Sequence, residues 1–219
     1  MTKTALKVHH PHIVSRKGFY GGSPVIAGTK FPVRAVVNVT LTFGLILFAN
    51  QAYAQAAFQF AAPGVRVPDS PTVNGLRFSV IRGKNQGQHG LDLGLLSMSE
   101  TSNFSGLALI CGISRVTRET SGGAAFSLVN WHSSRDSGMN GAFINILNDT
   151  EGAFNLGFVT VADGGTAVDL GGFNMSRSST AQIGFVNVTD KIKTFQFGFP
   201  NIAKNGFLPV FPIFNFPKR

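Results

Sequence analysis

The densest group of residues that could do chemistry is the run 130–137, which reads Asn-Trp-His-Ser-Ser-Arg-Asp-Ser. It holds the only tryptophan of the chain, Trp131, together with His132, Arg135 and Asp136. Histidine, aspartate and serine are the residue types of a hydrolytic triad, but a triad depends on spatial roles and not on adjacency in sequence. Serine and aspartate are also ordinary turn residues. We interpret the run as a turn that could act as a binding loop, and we predict no catalytic residue.

The other residues that could bind a metal or a cofactor are isolated. His89 lies in a glycine-containing stretch typical of a turn, and the two histidines of residues 55–219, His89 and His132, make a poor ligand set without paired carboxylates. Cys111 is the only cysteine, which excludes an internal disulfide and a cysteine-based zinc site, and its apolar neighbours predict a buried side chain. The glycine-containing run 83–87 lacks the Lys-Ser/Thr ending of a phosphate-binding loop. The sequence therefore predicts neither a metal nor a cofactor.

The positive charge of the chain is concentrated at its beginning. The formal net charge is +9. Residues 1–54 hold six Lys or Arg and no acid, whereas residues 55–219 hold 13 basic and 10 acidic residues, a balance of +3. The body of the chain therefore has no basic stripe for a phosphate backbone, and we expect no nucleic-acid partner.

An apolar run at 36–48, VVNVTLTFGLILF, carries no charge and follows a lysine and an arginine. It is followed by the small-residue site Ala-Tyr-Ala at 52–54. A positive flank, a short apolar core and a small-residue site in this order are typical of a secretory signal. The sequence predicts a signal peptide at 36–54 and an exported body at 55–219, located in the periplasm, the outer membrane or the cell surface.

The segment before this signal has a different character. It contains His-Pro-His-Ile-Val-Ser-Arg at 10–16 and Gly-Gly-Ser-Pro-Val-Ile-Ala-Gly-Thr-Lys-Phe-Pro-Val-Arg at 21–34. Residues 9–37 thereby resemble the opening of a small bacterial antitoxin-like family of unknown function. The family's helical remainder is absent, so we predict that residues 1–35 are a truncated remnant or an over-extended leader.

The body reads as about ten short strands separated by Gly, Asn, Ser, Thr and Asp, which predicts an all-β protein. Its second half repeats roughly every 14 residues, most clearly in 168–174, 181–187 and 195–201, where a glycine stands three residues before an asparagine. Earlier copies are irregular, and we place their asparagine at Asn130 and Asn148.

A repeat of this kind predicts β-solenoid-like stacking, with an antiparallel β-barrel or a meander as the alternative. Stacked coils relate their copies by translation, so equal residues should form a ladder at Asn174, Asn187, Asn201 and Asn215. Within one copy we expect Ile183 and Phe185 to face an apolar interior together with Asn187, because alternate residues of a strand share a face.

The body also resembles a family of exported bacterial surface-repeat proteins, some of whose members carry a polyhydroxyalkanoate-synthase name. The likeness covers about residues 57–217 and is clearest at 75–78, 90–97, 127–132 and 184–188. It implies export and a repeated β structure, and it brings no activity. Cys111 lacks the strand–elbow–helix context of a synthase nucleophile.

Together these features predict an exported cell-envelope or surface protein of structural or interaction type, without identifiable chemistry. Its expected partner is the outer membrane or another envelope protein. Two alternatives stay open: a small outer-membrane β-barrel that binds or passes a solute, and a periplasmic hydrolase that uses residues 130–137.

Overall fold

The computed structural model describes residues 55–218. The predicted signal peptide and the antitoxin-like segment lie outside the described residues. The described part consists of strands and turns without a helix, so it offers no helix that could cross a membrane. Its strands are β1 (Gln55–Ala62), β2 (Val65–Val67), β3 (Thr72–Thr120), β4 (Ala124–His132), β5 (Arg135–Asp136), β6 (Met139–Ala203) and β7 (Val210–Asn215).

Successive stretches of the chain pair with each other in parallel. Leu107 pairs with Ala124, and Ala124 pairs with Met139, which are steps of 17 and 15 residues along the chain. The long strands β3 and β6 bend through several coils, so most of this pairing lies within a single winding chain. The prediction of an all-β solenoid is confirmed, and the parallel register excludes the antiparallel alternatives.

Both ends of the described solenoid carry an antiparallel strand. β2 folds back on β1, where Phe60 pairs with Val67. β7 runs back along the end of β6, where Gln196 pairs with Asn215. Pro212 lies in β7, in the position at the edge of a sheet where a missing N–H donor is tolerated. A reversed strand at each end covers edges that a further strand could otherwise extend.

The interior of the solenoid is lined mostly by polar side chains. One line of residues, which we name the first interior column, runs through successive coils and is at most 2% exposed. Its members are Gln59, Arg77, Asp92, Ala108, Ala125, Asn140, Asn155, Asp169, Gln182 and Gln196. Side-chain hydrogen bonds join neighbouring members, for example Asn155 Nδ2 to Asp169 Oδ1 at 2.8 Å.

The expected apolar interior is therefore wrong for this part of the chain. Ile183 and Phe185 are 39% and 67% exposed, whereas Gln182 and Asn187 are fully buried. Alternation separates two faces of a strand but does not say which one is inside. Here the amides are inside because the same residue type in the next coil satisfies their hydrogen bonds.

The residues on either side of each member of the first interior column point outward, as strand alternation requires, except that Ala181 is only 8% exposed and Gly141 is buried. The outward residues are all apolar. We name this surface the apolar face; it comprises Phe58, Phe60, Leu76, Phe78, Leu91, Leu93, Leu107, Leu109, Ala124, Phe126, Met139, Phe154, Leu156, Val168, Leu170, Ile183, Phe195 and Phe197. The solenoid thus buries many amide groups and exposes many large apolar side chains, although Phe104, Leu147 and Ile192 are buried.

Candidate functional site

The run 130–137 does not form a single surface loop. It is divided between the end of β4 and the short strand β5, so its side chains alternate between the two sides of the wall. His132 and Asp136 lie inside at 1% and 0% exposure, whereas Trp131 is 39% exposed and Arg135 is also outside. The four residues singled out as a binding loop therefore belong to two separate environments.

The inward pair is closed off from solvent. His132 Nδ1 contacts Asp136 Oδ2, and the second oxygen of Asp136 accepts the Gly138 N–H at 2.8 Å. Thr120 Oγ1 lies 3.4 Å from His132 Nδ1, and His132 Nε2 is buried without a hydrogen-bond partner. The pair joins β4 to β5. Because the His132 side chain and the Asp136 carboxylate are both buried, a dissolved substrate cannot reach them.

The outward residues make other contacts. Arg115 lies in the coil that precedes Trp131. Its guanidinium carbon is 4.6 Å from the centroid of the Trp131 ring, which is the geometry of a cation–π contact. Arg135 instead lines an open polar depression together with Arg118, Glu119 and Asp149. Trp131 is not part of that lining, so these two residues do not converge on one ligand.

Charged side chains on the outside pair with each other across neighbouring coils. Lys84 Nζ lies 3.0 Å from Glu100 Oε1, and Lys204 Nζ lies 2.7 Å from Asp190 Oδ1. The hydrogen bond from Lys84 holds the pKa of Glu100 below its ordinary value, and the positive charge of Arg115 acts in the same direction against the opposing effect of burial. Each of these pairs neutralises its own two charges.

The asparagine ladder lies inside a bend of the coil. Asn174 Nδ2 donates to Asn187 Oδ1 at 2.9 Å, and Asn187 Nδ2 donates to Asn201 Oδ1 at 2.8 Å. Asn187 also donates to the Phe197 carbonyl of the next coil at 2.9 Å. Asn187 thus connects the coils on either side of it through both its oxygen and its nitrogen.

Asn215 does not continue that ladder. Because β7 runs antiparallel to β6, Asn215 pairs with Gln196 and donates to its Oε1 at 3.3 Å. It therefore ends the first interior column instead of extending the asparagine ladder. Translation from coil to coil, on which the expected ladder depended, stops where the chain reverses.

Sequence reasoning missed the interior asparagines Asn140, Asn145 and Asn155 and placed one copy of the repeat at Asn148. Asn130 Nδ2 donates to Asn145 Oδ1 at 3.0 Å, and Asn145 Nδ2 lies 3.4 Å from Thr160 Oγ1. Asn148, where the repeat was placed, is exposed. The signal was present, because Asn145 stands three residues after the small residue Ala142, in the same way as the later asparagines follow a glycine.

Cys111 is exposed and not buried. It belongs to the outward residues beside the apolar face. A line of large, exposed side chains also lies beside this face. This line, which we name the ridge, consists of Leu128, Phe143, Phe158, Phe185 and Phe199, each between 50% and 67% exposed. The rings of Phe143 and Phe158 stack with their centroids 5.1 Å apart.

The apolar face and the ridge form the most extensive unusual surface of the described chain. Individual exposed apolar residues are normal on a soluble protein, but a contiguous apolar patch marks an interaction site. Residues 55–218 contain no cluster of three or more His, Cys, Asp or Glu that could hold a metal ion. The candidate site is therefore a binding surface. No family model, no curated protein and no solved structure matches this chain.

Proposed function

We propose that this protein is an exported, non-enzymatic component of the cell envelope or cell surface, and that it acts by binding another surface through its solenoid wall. The observation that carries the proposal is the distribution of side chains, with a column of buried amides inside the coils and a contiguous surface of phenylalanine and leucine side chains outside. Water disfavours exposed apolar area at about 25 cal/mol per Å², so such a wall gains free energy when a partner covers it.

The scaffold suits this role because hydrogen bonds join its neighbouring coils. Backbone groups of neighbouring coils pair in parallel ladders, and buried amides bond to the next coil. A wall of this kind keeps its shape while presenting the same outward residues over a long distance. Rigid elements hold a binding surface better than loops do.

The alternative of a hydrolase finds no support in the arrangement of residues 130–137. A general base must come within hydrogen-bond reach of the proton that it abstracts. His132 is 1% exposed and its nearest carboxylate, Asp136, is 0% exposed. The pair is better explained as a structural contact between two coils.

Export is tested by the first residue of the native protein. The leader and cleavage pattern at 36–54 support a mature chain that begins near Gln55 or Ala57. Intact-mass spectrometry of protein from envelope and cytosolic fractions is expected to find this shortened chain in the envelope. An Ala54→Arg variant is expected to retain its leader, whereas an Ala62→Arg variant, outside the cleavage pattern, is expected to be processed. An intact chain that begins at Met1 and stays in the cytosol would refute export.

A further inference from the structure

We infer that the apolar face binds the apolar face of a second copy of this chain. This inference rests on the proposed interaction role and names its partner. The occupant is argued from the composition of the face, from its area and from the way the ends of the solenoid are closed.

The composition is that of an interface between permanent partners. The apolar face carries no charged or hydrogen-bonding side chain along its length. Its more exposed members, such as Leu109, Met139 and Leu156, are 44%, 40% and 47% exposed. Obligate homodimer interfaces resemble a protein core cut in half, and this surface has the residues of such a core.

The area is sufficient for a stable dimer. Ten stacked members of the first interior column, about 4.8 Å apart, make a face roughly 45 Å long, and three strand positions with their flanking side chains make it roughly 15 Å wide. The product is on the order of 700 Å², close to the roughly 800 Å² that each partner buries in a standard interface. Two β-sheets can approach face to face at about 10 Å, which lets side chains of this size interdigitate.

The direction of association follows from the ends of the described solenoid. β2 pairs antiparallel with residues 60–62 of β1, and β7 pairs antiparallel with the end of β6, so at these positions the edge on which another parallel coil would stack is already occupied. The apolar face, in contrast, is open along its length. A surface that pairs with itself gives a closed two-fold dimer in which every contact occurs twice and residues near the two-fold axis contact their own counterparts. Met139 lies near the middle of the apolar face, where that axis would pass.

A lipid surface is the competing occupant, and the side chains around the face argue against it. Proteins that rest on a bilayer place Trp, Tyr, Lys and Arg at the interface. The described residues include no tyrosine and one tryptophan, Trp131, which lies beside Arg115 and outside the apolar face. Among the exposed charges, Lys204 is paired with Asp190, and Arg177 is paired with Asp163.

The decisive experiment compares two methionines of similar exposure. Met139 belongs to the apolar face and is 40% exposed, whereas Met175 lies outside it and is 51% exposed. We expect sedimentation equilibrium to show a dimer when the protein is purified from the producing cells in whatever processed form they contain. Met139→Lys should raise its dissociation constant roughly tenfold or more, because two like charges meet in an apolar interface. Met175→Lys should leave the dissociation constant unchanged.

A charge-reversal mixture separates a direct contact from a fold defect. Met139→Lys and Met139→Glu are each expected to be monomeric alone and to associate when mixed, because opposite charges then meet. A damaged fold would not be restored by mixing. Absence of restoration, with both variants folded by circular dichroism, would overturn the pairing of this face with itself.

Three further outcomes would overturn the inference. The first is a wild-type chain that is monomeric at tens of micromolar concentration. The second is a Met175→Lys variant that dissociates the dimer as strongly as Met139→Lys does. In the third, the monomer binds phosphatidylcholine–phosphatidylglycerol vesicles and the Met139→Lys change abolishes that binding, which would assign the face to lipid. The proposed export is tested separately by the native first residue, so either conclusion can fail without the other.

Discussion

The early and late coils of this solenoid solve the same packing problem in different ways. In the early coils the first interior column steps by 18 residues from Gln59 to Arg77 and by 15 from Arg77 to Asp92. The late coils step by 13 or 14 residues, as from Asp169 to Gln182 and from Gln182 to Gln196. The late interior repeats one chemistry, whereas the early interior changes from coil to coil.

The early interior uses dedicated partners. Arg77 Nε donates to Asp92 Oδ1 at 2.9 Å, and Ser99 Oγ donates to Asp92 Oδ2 at 2.7 Å. One coil further on, Phe104 and Ile110 belong to a small apolar cluster. Each of these groups fits only the coil beside it.

The late interior uses interchangeable partners. An asparagine or glutamine offers both a donor and an acceptor, so a regular step places each amide against the next one. The comparison teaches that a constant coil length allows a ladder, and that a varying coil length forces each buried polar group to find an individual partner.

The largest expected effect comes from breaking the dedicated pair of the early coils. Asp92→Ala leaves the guanidinium of Arg77, which is fully buried, without its carboxylate. Removing one partner of a buried ion pair costs about 3–5 kcal/mol, because the remaining charge is uncompensated. Urea denaturation should show this loss in the free energy of unfolding.

An exposed ion pair provides the control for that substitution. Asp163 pairs with Arg177 on the surface, where the two side chains are 59% and 67% exposed. Asp163→Ala is expected to change the free energy of unfolding by less than about 0.5 kcal/mol. Equal losses for the two aspartates would contradict the role of burial in the early coils.

The second expected effect interrupts the ladder of the late coils. Asn187→Ala removes the acceptor of Asn174 and the donor to Asn201 in one step. A buried group left without its partner costs about 1–3 kcal/mol, so we expect a loss of about 2 kcal/mol in urea denaturation. Asn148→Ala, at an exposed asparagine, should change stability by less than about 0.5 kcal/mol. A loss at Asn187 no larger than that at Asn148 would show that the ladder contributes nothing.

The third expected effect tests how closely the late coils approach at their bend. A Cβ at Gly171 would lie 1.7 Å from the Gly157 carbonyl oxygen, whereas at Gly165 its nearest neighbour would be 3.8 Å away. Overpacking a tight site costs typically about 1–3 kcal/mol, so Gly171→Ala should lower the thermal midpoint and Gly165→Ala should not. Equal midpoints for the two variants would contradict the close approach.

Sequence reasoning identified the repeat and therefore the architecture. The spacing of Asn174, Asn187 and Asn201 indicated translation between coils, and parallel pairing is its structural expression. It could not show the chain reversal at Asn215, because β7 keeps the strand-like composition of the coils before it. β7 differs from the earlier strands in its direction, and the amino-acid composition of a strand does not indicate whether it runs parallel or antiparallel to its neighbour.

The choice of inside and outside escaped the sequence for a different reason. Ile183 and Gln182 alternate in the same way whether the amide or the aliphatic side chain is buried. The usual preference is for apolar groups inside, and that preference fails where coils stack amides in register. For the same reason the apolar face was not foreseen as the candidate site, and residues 130–137 were interpreted as a single loop although His132 and Trp131 point in opposite directions.

The smallest expected effect concerns Glu100, which forms a partly covered ion pair with Lys84 in the early coils. Its folded-state pKa lies below the ordinary value of 4.5, chiefly because Lys84 donates a hydrogen bond to it. A depressed carboxyl pKa adds stability above the unfolded pKa, and that stability is lost as the pH falls through the folded pKa. Glu100→Gln should therefore cost roughly 0.5–1 kcal/mol at pH 7 and progressively less below about pH 4.5. Urea denaturation at pH 7 and pH 3 measures the difference, and a cost that grows in acid would contradict the ion pair.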